Sequence, residues 1–505
     1  MSDRRGNLPE SPMMKRIGRA GRAGGLPFFK TPPRIPKKGR IRFFLAIILF
    51  AVAIKIFIAR EPSEKSSPSR FTHREPPRSE TAAPAAAKPA PRAERKQGQS
   101  FFGQFALFNP GFSGRNFSAS DLAEFFKRHP PRFNAVCDTV TAGKKSYVLH
   151  YSFDTTVMRC SQALLKQYHP KYGAVVALEP ATGRVLALVS YTREAEPSLG
   201  DNLFARSLYP AASVFKTVTA AAAIEKGNME PESKLPLAGR RYTLYRFQLK
   251  EDLAAYAPVS LTDAYSYSIN PVFGRIGVYV LGPAVIREYF EKFGFNSRIP
   301  FELDNETPVA AISDKDSAIA VAEIASGFNQ KTKMSPLFGA LIAAAVSQKG
   351  RMPVPYFVDS VTTGDSCLVY RASPRLWRAP VRESTALKLH DMMERVARYG
   401  TARTSFRYVK HTAYFDDIDY GGKTGSVDDD KLGKVDWFVG FAAHPTDPRQ
   451  RIAVGIVTVH DQFWTVHSAY IGAEVFRKYI RQLQKEEQAA SKVDIITGDL
   501  KKAPG

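Results

Sequence analysis

The residues of this 505-residue chain best placed for acyl chemistry fall in three short segments. Ser213 and Lys216 stand in PAASVFKTVTAAAAIEKG, where Pro210 precedes a run of high helix propensity. The sequence predicts Ser213 in the first helical turn, where the helix dipole and free backbone N–H groups favour developing negative charge. Three-residue spacing sets Lys216 on the same face. A serine hydroxyl is a weak nucleophile until a base takes its proton, and a lysine desolvated in a cleft is such a base. No second Ser-x-x-Lys occurs in the chain, although a chance match in a sequence of this length is about an even bet.

Ser268 and Asn270, in DAYSYSINPVFGRIG, form the one Ser-x-Asn of the chain and lie between two helix-like stretches. From a loop there, the hydroxyl would relay a proton between Lys216 and a leaving amine, and the amide would bond a substrate backbone. An ordinary helix cap or turn is the plain alternative. Lys423, Thr424 and Gly425 occur in DYGGKTGSV, with apolar alternation soon after. That pattern predicts an edge strand beside a cleft. Its lysine would supply positive charge, its threonine would bond a carboxylate, and its glycine would leave room for a substrate strand against the backbone. A glycine-rich hairpin turn is the alternative.

Taken in order, Ser-x-x-Lys, Ser-x-Asn and Lys-Thr-Gly are the three elements of penicillin-binding proteins and class A β-lactamases. The chain resembles the transpeptidase domain of penicillin-binding proteins over most of residues 146–485. FARSLYPAASVFK is similar to the family's approach to its nucleophile, AEIASGFNQKTKMSPLFGALIAAAVSQKG to its central helical segment, ARYGTAR to its glycine-threonine-alanine turn, and KTGSVDDDKLGKVDWFVGFAAHP to its terminal strand pair. The resemblance implies an α+β fold, a five-stranded antiparallel sheet flanked by helices with the site between sheet and helices. It implies that Ser213 is acylated, Lys216 is the base, Ser268 the proton shuttle and Asn270 a substrate ligand. Lys423 and Thr424 would hold the terminal carboxylate of a D-alanyl-D-alanine stem peptide, beside Gly425. The oxyanion hole would comprise the backbone N–H groups of Ser213 and Ser426. β-Lactams would acylate the same serine. The 155 residues from Ser268 to Lys423 and the missing Glu-x-x-Leu-Asn element point away from β-lactamases. A D,D-carboxypeptidase of the same fold, or a membrane-bound sensor or scaffold with a silent site, are the other readings.

The elements that must position these residues are legible in outline. TTVMRCSQALLKQYH has helical periodicity, and YGAVVALEPATGRVLALVSY reads as strand, tight turn, strand. WFVGFAAHP and RIAVGIVTVHD read as a second strand pair before a final helix. Strands at both ends of a helical middle imply an α+β domain.

Ahead of that domain the composition changes several times. Residues 1–42 hold twelve Lys and Arg against Asp3 and Glu10, so much of the net charge of +24 is local. A basic block directly before the apolar run Phe43 to Ala59 reads as a cytoplasmic tail and a retained transmembrane anchor rather than as a nucleic-acid-binding arm or a cleaved signal. Lys55, near the outer end, can snorkel to the interface. Residues 60–100 are rich in Pro, Ala, Ser and charge and read as a disordered linker. Residues 101–145 are expected to form a small membrane-proximal module in which Ser120 caps a short helix, residues 146–485 the transpeptidase domain, and 486–505 a disordered tail. This layout leaves no room for a glycosyltransferase domain and places the enzyme in the inner membrane, single-pass, with its catalytic domain periplasmic. Expected partners are peptidoglycan stem peptides, β-lactams, a separate glycan polymerase and anionic lipid at the tail; no nucleic acid, metal or cofactor is expected. Cys137 and Cys160 could bridge and leave Cys367 free, but no spacing signature selects that pair.

Overall fold

The computed structural model describes residues 118–500, except 129–130, 132, 134, 143–144, 195–201, 253–255, 410–411, 413–414, 445 and 449. The basic tail, the apolar run 43–59 and the linker lie outside the described residues; among those described, no helix is long and apolar enough to cross a membrane.

Helix α1 (Ala119–Arg128) is capped by Ser118, not by Ser120 as the sequence suggested. The Ser118 N–H donates to Asp121 Oδ2 at 2.8 Å and the Asp121 N–H donates back to Ser118 Oγ at 3.3 Å. Ser120 has Ala123 at the corresponding position and cannot make that reciprocal pair. Strands β1 (Cys137–Ala142) and β2 (Lys145–Tyr151) form a hairpin. In α2 (Thr155–Tyr168) the Asp154 side chain accepts from the Val157 N–H at 2.8 Å. Strands β3 (Tyr172–Leu178) and β4 (Val185–Thr192) follow, turning at Gly183, whose φ of +83° suits a residue without Cβ.

The helical middle comprises α3 (Lys216–Glu225), α4 (Leu261–Ser266), α5 (Asn270–Arg275), α6 (Ala318–Ser326) and α7 (Pro336–Ser347), among other helical turns. Strands β5 (Val358–Thr363) and β6 (Leu368–Arg371) precede α8 (Glu383–Arg398). The last elements are β7 (Asp419–Asp429), β8 (Gly433–Ala443), β9 (Arg451–His460) and α9 (Ser468–Leu500).

The main sheet is five-stranded and antiparallel in the order β7-β8-β9-β3-β4, as expected, with β7 at one edge. Strand β3 is buried at every position because helices cover both faces. Adjacent residues of β8 show which helix lies where. A Cβ on Gly339 of α7 would sit 3.7 Å from the Trp437 ring, whereas one on Gly472 of α9 would sit 2.5 Å from the Phe438 ring. Neighbouring strand residues point to opposite faces, so α7 and α9 sandwich the sheet.

A second sheet has the order β1-β2-β5-β6. Strand β1, in the module expected over residues 101–145, pairs with β2, which runs into the domain expected from residue 146, and the same sheet continues into strands 358–371. Phe126 of α1 also packs at 4.9 Å between ring centroids from Phe357, and Leu122, Phe125, Leu149 and Tyr151 are buried in the same core. At the other end, α9 carries the chain as a helix through residue 500, where a disordered tail was expected from 486. KEEQAASKVDII contains strong helix formers and neither Gly nor Pro. The three cysteines are unpaired.

Candidate active site

Ser213 lies in a 3₁₀ turn, Ala212–Phe215, that leads into α3, and Lys216 is the first residue of that helix. The turn is held from three sides. The Ala211 N–H donates to the Thr332 carbonyl at 2.8 Å, and the Trp437 Nε1–H of β8 donates to the Pro210 carbonyl at 2.8 Å. From the third side comes the end of α6, where Gly327 has a φ of +66° and a Cβ would lie 1.9 Å from the Ala212 carbonyl oxygen. Only a glycine permits that approach. Ala212 itself has a φ of 46°, a conformation that costs a non-glycine residue roughly 1–3 kcal/mol and is held by this packing.

Lys216 is fully buried. Its Nζ donates to Ser213 Oγ at 2.8 Å, Asn270 Oδ1 at 2.7 Å and the Ser326 carbonyl at 2.6 Å. Burial and the positive charge of Lys423 push its pKa well below the ordinary lysine range. Lys423 is also fully buried; it donates to Ser268 Oγ at 3.0 Å and to the Thr424 carbonyl at 2.8 Å. Desolvation lowers its pKa to about 7.

Ser268 adopts a φ of 55° between α4 and α5, another strained non-glycine position beside the cleft. The sequence assigned the Asn270 amide to substrate, but much of that side chain is engaged within the protein. Its Oδ1 accepts from Lys216, and its Nδ2 donates to the Tyr242 carbonyl at 3.1 Å.

Strand β7 completes the site as an edge strand. A Cβ on Gly425 would come within 3.3 Å of the Ser213 backbone nitrogen, so the strand and the Ser213 turn are in van der Waals contact. The Thr424 and Thr401 hydroxyls share a hydrogen bond. Ser426 is exposed, pairs in register with Asp436 of β8, and donates from Oγ to Asp436 Oδ1 at 2.9 Å. The fold therefore gathers Ser213, Lys216, Ser268, Asn270, Lys423, Thr424, Gly425 and Ser426 around one cleft.

Sequence reasoning did not single out the Ser326 carbonyl, Gly327, Thr401, Asp436 or the loop carbonyls that hold Asn270. Gly327 and Thr401 do lie within the AEIASGFNQ and ARYGTAR segments quoted for their family likeness. Their contacts join residues far apart in sequence, which no local pattern discloses. Among the described residues no cluster of His, Cys, Asp and Glu is arranged to hold a metal ion.

A family model, the penicillin binding protein transpeptidase domain, matches residues 173–481. Among curated proteins, the peptidoglycan D,D-transpeptidase PbpA of Mycobacterium tuberculosis is 29% identical over 311 residues, 56% of this chain and 60% of that protein. The chain therefore matches less than two thirds of that relative's length. Among solved structures, the D,D-transpeptidase domain of a peptidoglycan glycosyltransferase from Eggerthella lenta has a TM-score of 0.57 at 24% identity, covering 71% of this chain and 87% of that one. The imipenem acyl-enzyme complex of penicillin-binding protein A from M. tuberculosis has a TM-score of 0.53 at 24% identity, covering 71% and 82%. At these identities the structural likeness speaks for the fold.

Proposed function

The chain belongs to the penicillin-binding protein transpeptidase family, and on that footing we propose that it is a peptidoglycan D,D-transpeptidase working through an acyl-serine. The observation that carries the proposal is the set of acceptors around Lys216. As an ammonium, its three N–H groups match Ser213 Oγ, Asn270 Oδ1 and the Ser326 carbonyl. As a neutral amine it keeps two, and the amide and peptide oxygens can only accept. The lone pair is then left to face the Ser213 O–H. Burial stabilises that neutral form.

The chemistry follows from that lone pair. Lys216 takes the Ser213 proton as Oγ bonds to the carbonyl carbon of the penultimate D-alanine, and the oxyanion is received by the Ser213 and Ser426 N–H groups. The C–N bond to the terminal D-alanine breaks, and its nitrogen receives a proton by way of Ser268. An acceptor amine then attacks the ester, restoring the Ser213 hydroxyl and leaving a crosslink. Lys423 and Thr424 would hold the terminal carboxylate. β-Lactams would acylate the same serine; penicillin-binding protein A from M. tuberculosis is known as an imipenem acyl-enzyme complex.

The proposal also has residues 43–59 anchor the enzyme in the inner membrane, with its catalytic domain outside and a separate polymerase supplying glycan. The basic tail would lie against anionic lipid.

The test is to incubate the full-length protein with a stem pentapeptide, with and without an amine acceptor, and to identify products by mass. Crosslinked product together with released D-alanine is expected. Release without crosslinking would make the enzyme a carboxypeptidase. Absence of any acyl adduct on Ser213 would sink the acyl-transfer reading.

A further inference from the structure

The segment 237–252, which follows Pro236, does more than fill a connection. It folds around the buried side chain of Gln248, whose Oε1 accepts from the Tyr245 N–H at 2.8 Å and whose Nε2 donates to the Ala238 carbonyl at 2.7 Å. Thus pinned, the loop turns its backbone to the catalytic cleft. The Tyr242 carbonyl accepts from Asn270 Nδ2, and the Arg241 carbonyl accepts from the Asn270 N–H at 2.8 Å. The Arg241 guanidinium also lies 4.8 Å from the centroid of Tyr267, the residue before Ser268.

The outer surface of this loop is apolar and cationic where solvent-facing loops are ordinarily polar. Tyr245 and Phe247 are stacked at 6.0 Å with an interplanar angle of 18°, yet remain 58% and 45% exposed. Arg240, Arg241, Arg246 and Lys250 are exposed around them, against Glu251 and Asp252. Arg240, Arg241 and Arg246 take part in no ion pair among the described residues. Leaving such rings in water is unfavourable, and the face that a stacked ring turns outward suits the C–H face of a pyranose. Guanidinium groups without ion-pair partners beside it favour carboxylates.

We propose that the loop 237–252 is an accessory subsite for the glycan-proximal part of the donor. The sugar attached to the stem peptide would rest on Tyr245 and Phe247, and peptide carboxylates would meet Arg241 and Arg246. The inference rests on the acyl-transfer reading for the identity of the substrate. Its occupant follows from charge complementarity and from continuity with Asn270.

The experiment titrates full-length protein carrying Ser213→Ala, so that ligand is not consumed, with a disaccharide-linked pentapeptide and with the free pentapeptide. The disaccharide ligand should bind about tenfold more tightly. Combining Tyr245→Ala with Phe247→Ala should remove that advantage, while Arg246→Gln should weaken both ligands. Equal affinity for the two ligands, or an advantage that survives loss of both rings, would overturn the subsite. An effect of Arg246→Gln alone would reduce the surface to a charge patch and overturn it equally. Because Arg246 is exposed and outside the Gln248 anchor, that variant reports even if the ring variant unfolds. Failure of penicillin to label the Ser213 protein would remove the acyl-transfer reading, while the titration still decides the loop.

Discussion

Asn270 Oδ1 accepts a hydrogen bond from Lys216 Nζ at 2.7 Å, in a pocket where the lysine has no exposure to solvent. The side chain one motif was expected to offer to substrate is thereby part of the environment that sets the basicity of another. An amide oxygen at that distance leaves the neutral amine accessible; a carboxylate would not.

Asn270→Asp should therefore raise the Lys216 pKa and reduce the neutral fraction near pH 7. Penicillin acylation at that pH should fall with the neutral fraction of the amine, and the rising limb of the pH profile should move to higher pH. Stopped-flow acylation between pH 5 and 9 checks it; a slower rate with an unmoved limb would locate the effect elsewhere.

Lys423 should produce the opposite limb. Its pKa is lowered to about 7, so the ammonium proposed to hold the substrate carboxylate is lost as pH rises through that value. Peptide acylation should rise with Lys216 deprotonation and decline above about pH 7. Lys423→Arg keeps its charge across this range and should abolish the decline, with some loss of rate from crowding in a fully buried position. Lys216→Arg should collapse acylation by ~10²–10⁴-fold, with no recovery at higher pH. A decline that persists in Lys423→Arg would belong to another group.

Gly327→Ala should damage the site without touching a reacting group. The added methyl would meet the Ala212 carbonyl at 1.9 Å from a backbone with φ of +66°, so the Ser213 turn or the end of α6 must move. A stability loss of about 2 kcal/mol or more is expected, with acylation slowed beyond what the unfolded fraction explains. Denaturant melts and penicillin labelling of the folded fraction separate the two effects.

How much of this was legible in the sequence differs by element. Ser213, Lys216, Ser268 and Lys423 carried their own signatures, and β7 read as an edge strand because glycine, charge and alternation are local properties. The Ser326 carbonyl could not be read, since any residue supplies a carbonyl and only α6 brings this one to Lys216. The join between residues 137–142 and the larger domain could not be read for a related reason: the alternation of SYVLHYSF marks a strand, but not which strands pair along its two edges.

A buried carboxyl away from the cleft should control stability. Glu302 accepts from the Phe357 and Val358 N–H groups at 2.7 and 3.3 Å, yet desolvation pushes its pKa up to about 8 from an ordinary 4.5. Between those values the folded state holds a proton that the unfolded state has released, so stability is full below the unfolded value and falls as pH rises toward 8. Thermal melts of wild type should drop from pH 5 to 8 relative to Glu302→Gln, by of order ~3 kcal/mol in unfolding free energy. Parallel profiles would show that Glu302 ionises normally.

Topology is tested on spheroplasts. Protease added outside should cut between Arg60 and Ser100 and release a soluble fragment that still takes labelled penicillin on Ser213, while the basic tail stays protected. An intact chain released without protease would indicate cleavage of the apolar run instead.

An edge strand kept open beside a cleft is also a template on which a second polypeptide can add, the usual start of aggregation. Strand β7 carries Lys423 inward with no exposure, and its last residues are Asp428 and Asp429, followed by Asp430. An inward charge and a run of carboxylates are what sheets use to discourage such pairing. Replacing Lys423 by an apolar residue of similar length would thus relieve the cost of a buried cation, yet leave a flatter, less guarded edge. The same side chain that is proposed to draw a short peptide carboxylate into the cleft keeps longer chains from stacking along it.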